Sequence, residues 1–489
     1  MLLAGLAAVA LLFSAVMLWE AAASRLHVRR LDEQPACAPG QLPRVSVIVP
    51  AHNEERELES AVRSLVNQDY PDLEIILVDD RSSDGTGAIM DGLARQDPRI
   101  RVLHIKDLPQ GWMGKQHALW RGWQVATGAW LLFTDADVHM EPTALRRAMG
   151  YALRRRLDHL TVAPFLAAPG LLLSAWIGLF TLMYVVVVRP HRSRRPGAAG
   201  AVGIGAFNLI RRQVYEAIGT HRAIALRPDD DLQLGQRVKA AGYRQDILVA
   251  GDLVRVAWYP TVAEAIRGLE RSALAGVEYR WPGAVASLVG VALLTLGPWA
   301  GLLLAGEVRT RLLSAAAVLL QAAGYLCANP PSHWRSVMLY PVAAALFACG
   351  LARAYLLAAL RGGLVWGDRF FPLSALRQPG APGPGHDVPS SRPTHSREVQ
   401  APAPEPMSGS CTRDDPAGPG RAAGGLDGTG RGPSAGSRSP GRTPGAAWRS
   451  GWPYGAVSPS DGSRNRLRGD SSSGTSTGVP PTSRSRPRG

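Results

Sequence analysis

The sequence predicts an α/β fold built on a mostly parallel sheet, flanked by apolar helices that anchor it to a bilayer. Three observations carry that prediction. Between residues 45 and 133, short apolar runs alternate with amphipathic helical stretches, the signature of strand–helix–strand units. Two of those runs end in acids: Glu74–Val78 runs into Asp79-Asp80, and Ala129–Phe133 into Thr134-Asp135-Ala136-Asp137. Open α/β sheets bind ligands outside the carboxyl ends of their strands, so the acids fall where a site belongs. Finally, the first 19 residues and three late stretches are almost wholly apolar.

The elements follow in order. Residues 1–24 read as a membrane anchor. A signal peptide competes, since Ala21–Ser24 is a small-residue stretch, but the basic residues Arg25, Arg29 and Arg30 follow the apolar run and none precedes it. A domain over 43–281 comes next. It opens with a β-branched strand, Val45–Val49, and a helix over Glu54–Asn67 with Leu58, Ala61, Val62 and Leu65 on one face. Strand Glu74–Val78, helix Gly85–Arg95, strand Arg101–Ile105, helix Lys115–Ala126 and strand Trp130–Phe133 continue the alternation.

Within this domain the apolar stretch Phe165–Val188 lies between Asp137 and a second acidic cluster, Asp229-Asp230-Asp231. If those acids share one site, a single crossing between them is forbidden, and 24 residues are too few for two. Basic residues flank both ends, Arg154–Arg156 before and Arg189, Arg192, Arg194 and Arg195 after. An interfacial or re-entrant segment is the consistent reading, with a buried core helix as the bland alternative.

Pro282–Ala305, Leu312–Ala328 and Val337–Leu360 each approach the roughly 20 residues of a spanning helix, giving a membrane region over 282–360. A membrane-proximal segment, 361–378, follows. One anchor plus three late spans would leave the C-terminal end outside, whereas Arg361, Arg369 and Arg377 favour the inside, so one stretch is expected not to cross. Residues 379–489 are a Pro/Gly/Ser/Arg mixture with fourteen arginines against eight acids. Such a composition buries too little apolar surface to offset ordering entropy, so this tail is expected to be disordered. Its charge accounts for part of the chain's +15, and a solvated tail explains it better than a nucleic-acid interface does. The four cysteines are scattered singles, which excludes a disulfide framework or a cysteine zinc site as an organising device.

Several motifs in order resemble those of the family 2 glycosyltransferases, which have the GT-A fold. They are Val45–Glu54, Leu77-Val78-Asp79-Asp80 with Ser83–Thr86, Gly114-Lys115 with Ala118-Leu119, Phe133–Asp137, and Asp230-Asp231 followed by Lys239–Tyr243. The anchor, the late spans and Gly362–Trp366 are similar to the membrane-bound, lipid-directed subgroup, which includes ceramide-glucosyltransferase-like and hopanoid- or carotenoid-associated enzymes. The Q/R-x-x-R-W segment of processive relatives has no clean match; the region reads Arg267–Ala273, where Arg271 could be a cation for the diphosphate or an interfacial anchor.

The resemblance implies roles. Pro50, Ala51, Asn53, Glu54, Asp79, Asp80, Lys115 and Asp135 would bind a nucleotide diphosphate sugar; the alternatives are ordinary turn chemistry after a strand for the Asp79-Asp80 pair and a solvated helix-start lysine for Lys115. Asp135 and Asp137 would hold Mg²⁺ or Mn²⁺ on the diphosphate; D-x-D suits a hard cation shared with phosphate oxygens, although a bare D-x-D is common in surface loops. Asp231, with Asp230, would be catalytic as the general base of an inverting displacement, while Asp229 caps the helix behind it.

The expected function is hexosyl transfer to a hydroxyl of a membrane lipid acceptor by a multi-pass cell-membrane enzyme whose catalytic domain faces the cytoplasm, with no nucleic-acid partner. A polyprenyl-phosphate acceptor, a short-polysaccharide synthase and a catalytically silent scaffold are the alternatives.

Overall fold

A computed structural model describes residues 2–38, 40, 42–197, 199–367 and 369–377. The tail expected over 379–489 lies outside the described residues. The chain opens with helix α1 (Leu2–His27) and a short strand β1 (Arg29–Arg30). The alternating region is β2 (Val45–Ala51), α2 (Leu58–Val66), β3 (Leu73–Asp80), α3 (Thr86–Gln96), β4 (Ile100–Ile105), α4 (Gly114–Val125) and β5 (Trp130–Phe133). Then come β6 (Val138–Met140), α5 (Ala144–Arg154), β7 (His159–Ala163), β8 (Phe165–Leu166) and α6 (Leu171–Val188). The domain continues through β9 (Asn208–Arg211), α7 (Arg212–Ala217), α8 (Asp230–Ala240), β10 (Gln245–Val249), β11 (Val254–Val256) and α9 (Val262–Ser272).

The fold is of the expected class. An eight-stranded sheet runs β1-β10-β7-β9-β5-β2-β3-β4, and β9 alone is antiparallel to its neighbours. Every residue of β2 and β3 is buried, as expected of central strands covered on both faces, which is why they read as continuous apolar runs. The polar intruder Glu74 accepts hydrogen bonds at Oε2 from Ser46 Oγ (2.6 Å) and Thr127 N (2.9 Å) and at Oε1 from Arg101 Nη1 (3.4 Å), so its burial leaves no unmet acceptor. Helix α2 buries Leu58, Ala61, Val62 and Leu65, the face the spacing predicts. It starts four residues later than Glu54, because the backbone N–H groups there are used elsewhere. Glu54 donates to Thr86 Oγ1 (2.8 Å) and Glu55 to Asp84 Oδ2 (3.3 Å), and Asn53 turns the chain at φ 59°.

The C-terminal region holds α10 (Trp281–Val291), α11 (Gly297–Leu304), α12 (Val308–Ala328), α13 (Tyr340–Arg361), the hairpin β12 (Gly363–Trp366) and β13 (Arg369–Pro372), and α14 (Leu373–Leu376). A π-helical turn, Ala292–Leu296, joins α10 to α11 just before Pro298. Proline frees the carbonyl four residues earlier; here that is Leu294 O, which accepts from Gln321 Nε2 at 2.8 Å. Gln321 also accepts from Trp299 Nε1 (3.2 Å) and donates to Ser14 Oγ (3.4 Å), tying α1, α11 and α12 together. Among the described residues, five helical stretches are long and apolar enough to cross a membrane: 3–27, 171–192, 281–304, 308–328 and 331–361.

Helix α6 lies across the end of this bundle. Tyr325 Oη of α12 donates to Ser174 O (3.2 Å) and Asn329 Nδ2 to Gly178 O (3.0 Å); any Cβ at Gly178 would overlap the Tyr325 ring. Fifteen residues on, roughly 22 Å along the helix, Arg189 meets Glu20 at the same end of α1 (3.4 Å). Both ends of α6 return to the sheet domain, through β8 and β9.

Candidate active site

The carboxyl edge of the sheet gathers two groups of acids. The first belongs to β3. Asp79 accepts from Ser82 N (3.0 Å) and pairs with His104 Nδ1 (2.9 Å), whose Nε2 reaches Asp91 (3.1 Å). Burial works against ionisation of Asp79, but the His104 and Ser82 hydrogen bonds outweigh it and hold its pKa below the usual carboxylate range. Asp80 is gripped by Arg81 (2.9 Å), and its carbonyl accepts from His52 Nδ1 (2.6 Å). Asn53 Oδ1 accepts from Ser83 N (2.8 Å), linking the two loops. Pro50 and Ala51 finish β2, in register with Val78 and Asp79. Thus the residues expected to line the nucleoside pocket stand at adjacent strand ends, with both acids engaged by protein partners.

The second group is built around Lys115, in the first turn of α4. Its Nζ lies 2.6 Å from Asp135 and 3.9 Å from Asp230. Burial alone would lower the ammonium's pKa; Asp135, Asp230 and Asp231 together raise it above the ordinary value. Asp231 Oδ2 accepts from Gly205 N (2.8 Å) and Oδ1 from Leu232 N (2.8 Å). Burial and the neighbouring Asp230 push Asp231 up to about 7. Asp230 goes the other way: although burial opposes ionisation, Lys115 and His221 hold its carboxyl down. One small cleft is lined by Lys115, Thr134, Asp135, His221, Asp230 and Asp231. The D-x-D loop and the start of α8, almost a hundred residues apart, thus share one wall.

Asp137 sits beside this cleft and is raised to about 6 by burial and by Asp135. Glu54, expected in the nucleoside pocket, is raised to about 7 by burial and then by Asp137 and Asp135, so it also belongs to this acidic corner. Among the described residues, no three His, Cys, Asp or Glu side chains stand close enough to form a metal site unaided. The donor set is nonetheless of hard oxygens. Two carboxylates that crowd each other without full countercharge fit a divalent ion whose remaining ligands come from a diphosphate. A divalent ion would have to displace protons here, so its affinity should fall as pH drops below about 7, where Glu54 and then Asp137 become protonated. Titration of Mn²⁺ binding between pH 8 and pH 5 checks this.

Asp229 corrects an expectation. It stands at the first position before α8, yet its carboxylate makes no capping bond to the backbone. It pairs instead with Arg227 (2.9 Å) and accepts from Gln233 Nε2 (2.9 Å), because a guanidinium two residues away is the stronger partner.

Several site residues carry no sequence signal of their own. His104 orients Asp79. His221 sits 3.8 Å from Asp230 and is hydrogen-bonded by Tyr215 Oη (2.6 Å). Gly205 is the exception, since Gly203-Ile204-Gly205 hints at close backbone approach. A Cβ on Gly205 would stand 2.6 Å from Asp135 Oδ2 and 3.2 Å from Lys115 Nζ. Gly205→Ala should therefore force the Lys115–Asp135 pair apart and cost about 1–3 kcal/mol, read by thermal unfolding.

Residues 46–219 match Glycosyl transferase family 2. This segment belongs to that family. The glycosyl transferase domain is similar to the GalNAc(5)-diNAcBac-PP-undecaprenol beta-1,3-glucosyltransferase of Campylobacter jejuni, 38% identical over 116 residues, covering 23% of this chain and 37% of that protein. It is also similar to the 4,4'-diaponeurosporenoate glycosyltransferase of Staphylococcus aureus, 26% identical over 181 residues, covering 37% and 47%. The chain thus spans less than half the length of these curated relatives. A mannosyltransferase from Pyrobaculum calidifontis, solved with GDP-Man and Mn²⁺, superposes with a TM-score of 0.44 at 22% identity, covering 72% of this chain and 98% of that one.

Proposed function

We propose that the glycosyl transferase domain moves a sugar, with inversion, from a nucleotide diphosphate sugar to a hydroxyl of a lipid acceptor at the inner membrane surface. The observation that carries this is the convergence of Asp135, Lys115 and Asp231 on one cleft. Two relatives whose names specify lipid-type substrates, a PP-undecaprenol glycan and diaponeurosporenoate, support the acceptor class.

In this reading the base and ribose lie against Pro50–Glu54 and the Asp79-Asp80 turn. Asp135 and Asp137 would hold Mg²⁺ or Mn²⁺, which supplies countercharge to the departing diphosphate. Lys115 keeps Asp135 oriented toward that ion and Asp230 ionised behind it. Asp231, held by the Gly205 N–H, takes the proton of the acceptor hydroxyl as its oxygen bonds the anomeric carbon. The bond from that carbon to the diphosphate breaks on the opposite face. A base raised to about 7 suits proton transfer near neutral pH.

The contacts also support a topology. Helices α1 and α12 run parallel, matched at Ser14 with Gln321 and at Arg25 with Asn329 O. The segments flanking helix α13 both meet the sheet domain: His333, seven residues before it, packs on Phe165 (6.2 Å), and Arg369, eight residues after it, donates to Leu108 O (3.1 Å). We therefore read α1, the α10–α11 pair and α12 as crossings, with α6 and α13 lying in the membrane plane. That arrangement returns Arg377 to the catalytic side, as its arginine neighbours favour. Single cysteines placed at Leu304 and at Leu376 test it. A membrane-impermeant maleimide should label the two from opposite faces of sealed vesicles; labelling from one face would overturn the three-crossing topology.

A further inference from the structure

His221 is reached through a strained turn. Gly219 (φ 91°) and then Thr220 (φ 57°, ψ −168°) lead into it, and the second is a branched residue in a region that side chains avoid. Such strain persists only where the surroundings hold it, and it gathers at functional sites. Here the turn folds the 3₁₀ segment His221–Ile224 so that the imidazole, in a residue 1% exposed, stands edge-on to Phe133 (4.9 Å, 84°). Phe133 ends β5, immediately before the loop that carries Asp135 and Asp137.

Tyr215 of α7 uses its hydroxyl twice. Oη accepts from the His221 backbone N–H (3.0 Å) and lies 2.6 Å from Nδ1. Tyr215 is fully buried, so its own proton needs an acceptor, and Nδ1 is the one it reaches. That bond leaves Nδ1 bare and puts the ring proton on Nε2. Burial outweighs the attraction of Asp230 and lowers the ring's pKa, so the imidazole is neutral at pH 7. Its Nε2–H faces Asp230 Oδ2 at 3.8 Å, while Lys115 Nζ stands 3.9 Å from Oδ1. The buried carboxylate is thus suspended between two donors, and Lys115 keeps its short contact for Asp135 (2.6 Å).

We propose that His221, locked by Tyr215 with its proton on Nε2, is a positioning residue that holds Asp230 back from Lys115 and so sets the aim of Asp231. The inference rests on the transfer reading above, in which Asp231 meets the acceptor hydroxyl. Asp230 and Asp231 are consecutive residues opening α8, so a shift of one carboxylate carries the other. Without the Nε2–H, Asp230 closes on Lys115, draws the ammonium from Asp135 and turns Asp231 off line. A histidine that only filled the core would need its volume and not a particular tautomer.

The test uses the full chain in membranes, with nucleoside diphosphate release as the readout. His221→Phe keeps a ring against Phe133 but loses both nitrogens; it should lower kcat about 10–100-fold with donor KM little changed. His221→Gln can still present an N–H toward Asp230 and should recover most of that loss. Tyr215→Phe should lower kcat when made alone, because it frees the tautomer, and add nothing to His221→Gln, which has no tautomer to fix. Its effect on Tm, from the stranded backbone N–H, should be the same in both backgrounds. Equal kcat losses in His221→Phe and His221→Gln, or an equal Tyr215→Phe loss in both backgrounds, would overturn the role while wild-type turnover left the transfer reading intact. Absence of turnover in the wild type would fail the transfer reading and this role with it. Nitrogen-15 histidine spectra, with His221→Gln assigning the signal, read the ring without turnover. A neutral Nε2–H form at pH 7 is expected; an Nδ1–H or doubly protonated ring would overturn the inference whatever the kinetics.

Discussion

Asp231→Asn is expected to lower turnover by about 10²–10⁴-fold, the range for loss of a general base, while donor binding changes little. The amide keeps the size of the side chain and can still accept the Gly205 hydrogen bond (2.8 Å). What it loses is the capacity to take a proton. The wild-type enzyme should also show an acid limb: Asp231 is raised to about 7, so below that pH its carboxylate is protonated and cannot act as base. At Mn²⁺ concentrations that saturate the site throughout, activity therefore rises with pH through about 7, and the limb disappears from the residual activity of Asp231→Asn. A phosphate acceptor, already ionised, would need no such base. Near-wild-type turnover in Asp231→Asn would accordingly transfer the reading to a polyprenyl-phosphate acceptor. Initial rates of nucleoside diphosphate release across pH 5.5–8.5 decide between them.

Lys115→Met carries the second large effect, and it falls on stability as well as function. Asp135, Asp230 and Asp231 all face this ammonium, whose side chain is only 25% exposed. Removing the cation leaves carboxylates in a low-dielectric cleft without countercharge, a loss of about 3–5 kcal/mol for a buried pair. The acids can escape only by binding protons, which would raise their folded-state pKa values above the unfolded ones. Stability linked to such a shift is present at low pH and lost as pH rises through the folded pKa. The Tm deficit of Lys115→Met should therefore shrink between pH 8 and pH 5. Lys115→Met/Asp135→Asn should recover part of it at pH 8, since one fewer charge is stranded. A deficit independent of pH would mean that Lys115 acts by packing alone.

What the sequence could disclose follows from which forces are local. Strands β2, β3 and β5 are buried along their whole length, so each reads as an unbroken apolar run whose acids mark the carboxyl edge. Helix α2 likewise buries a face written at helical spacing. The antiparallel strand β9 was not legible, because it returns to the sheet only after α6 and its pairing with β5 and β7 is set by topology rather than by pattern. The course of α6 was only partly so. Its apolarity looks the same whether it crosses, lies in the plane or packs in a core, and its position emerges from Tyr325, Asn329 and Glu20. In the candidate site, the acids were conspicuous but their keepers were not. His104 meets Asp79 across 25 residues, and His221 meets Asp230 from a separate turn nine residues away, which no periodicity records; Gly205, 26 residues from Asp231, was hinted at only by its glycine pair. Asp229 illustrates the converse error: position before a helix suggested a cap, and a nearby arginine took the carboxylate instead.

The most direct measurement is nucleoside diphosphate release by the full chain in membranes, offered a panel of nucleotide sugars with Mn²⁺ or Mg²⁺, with lipid extract added or withheld. The account predicts release from one donor that requires both the cation and lipid, and that is lost in Asp135→Asn and Asp231→Asn. No release from any donor, together with no cation-dependent nucleotide binding, would contradict it and leave a domain that keeps the family's fold without its chemistry.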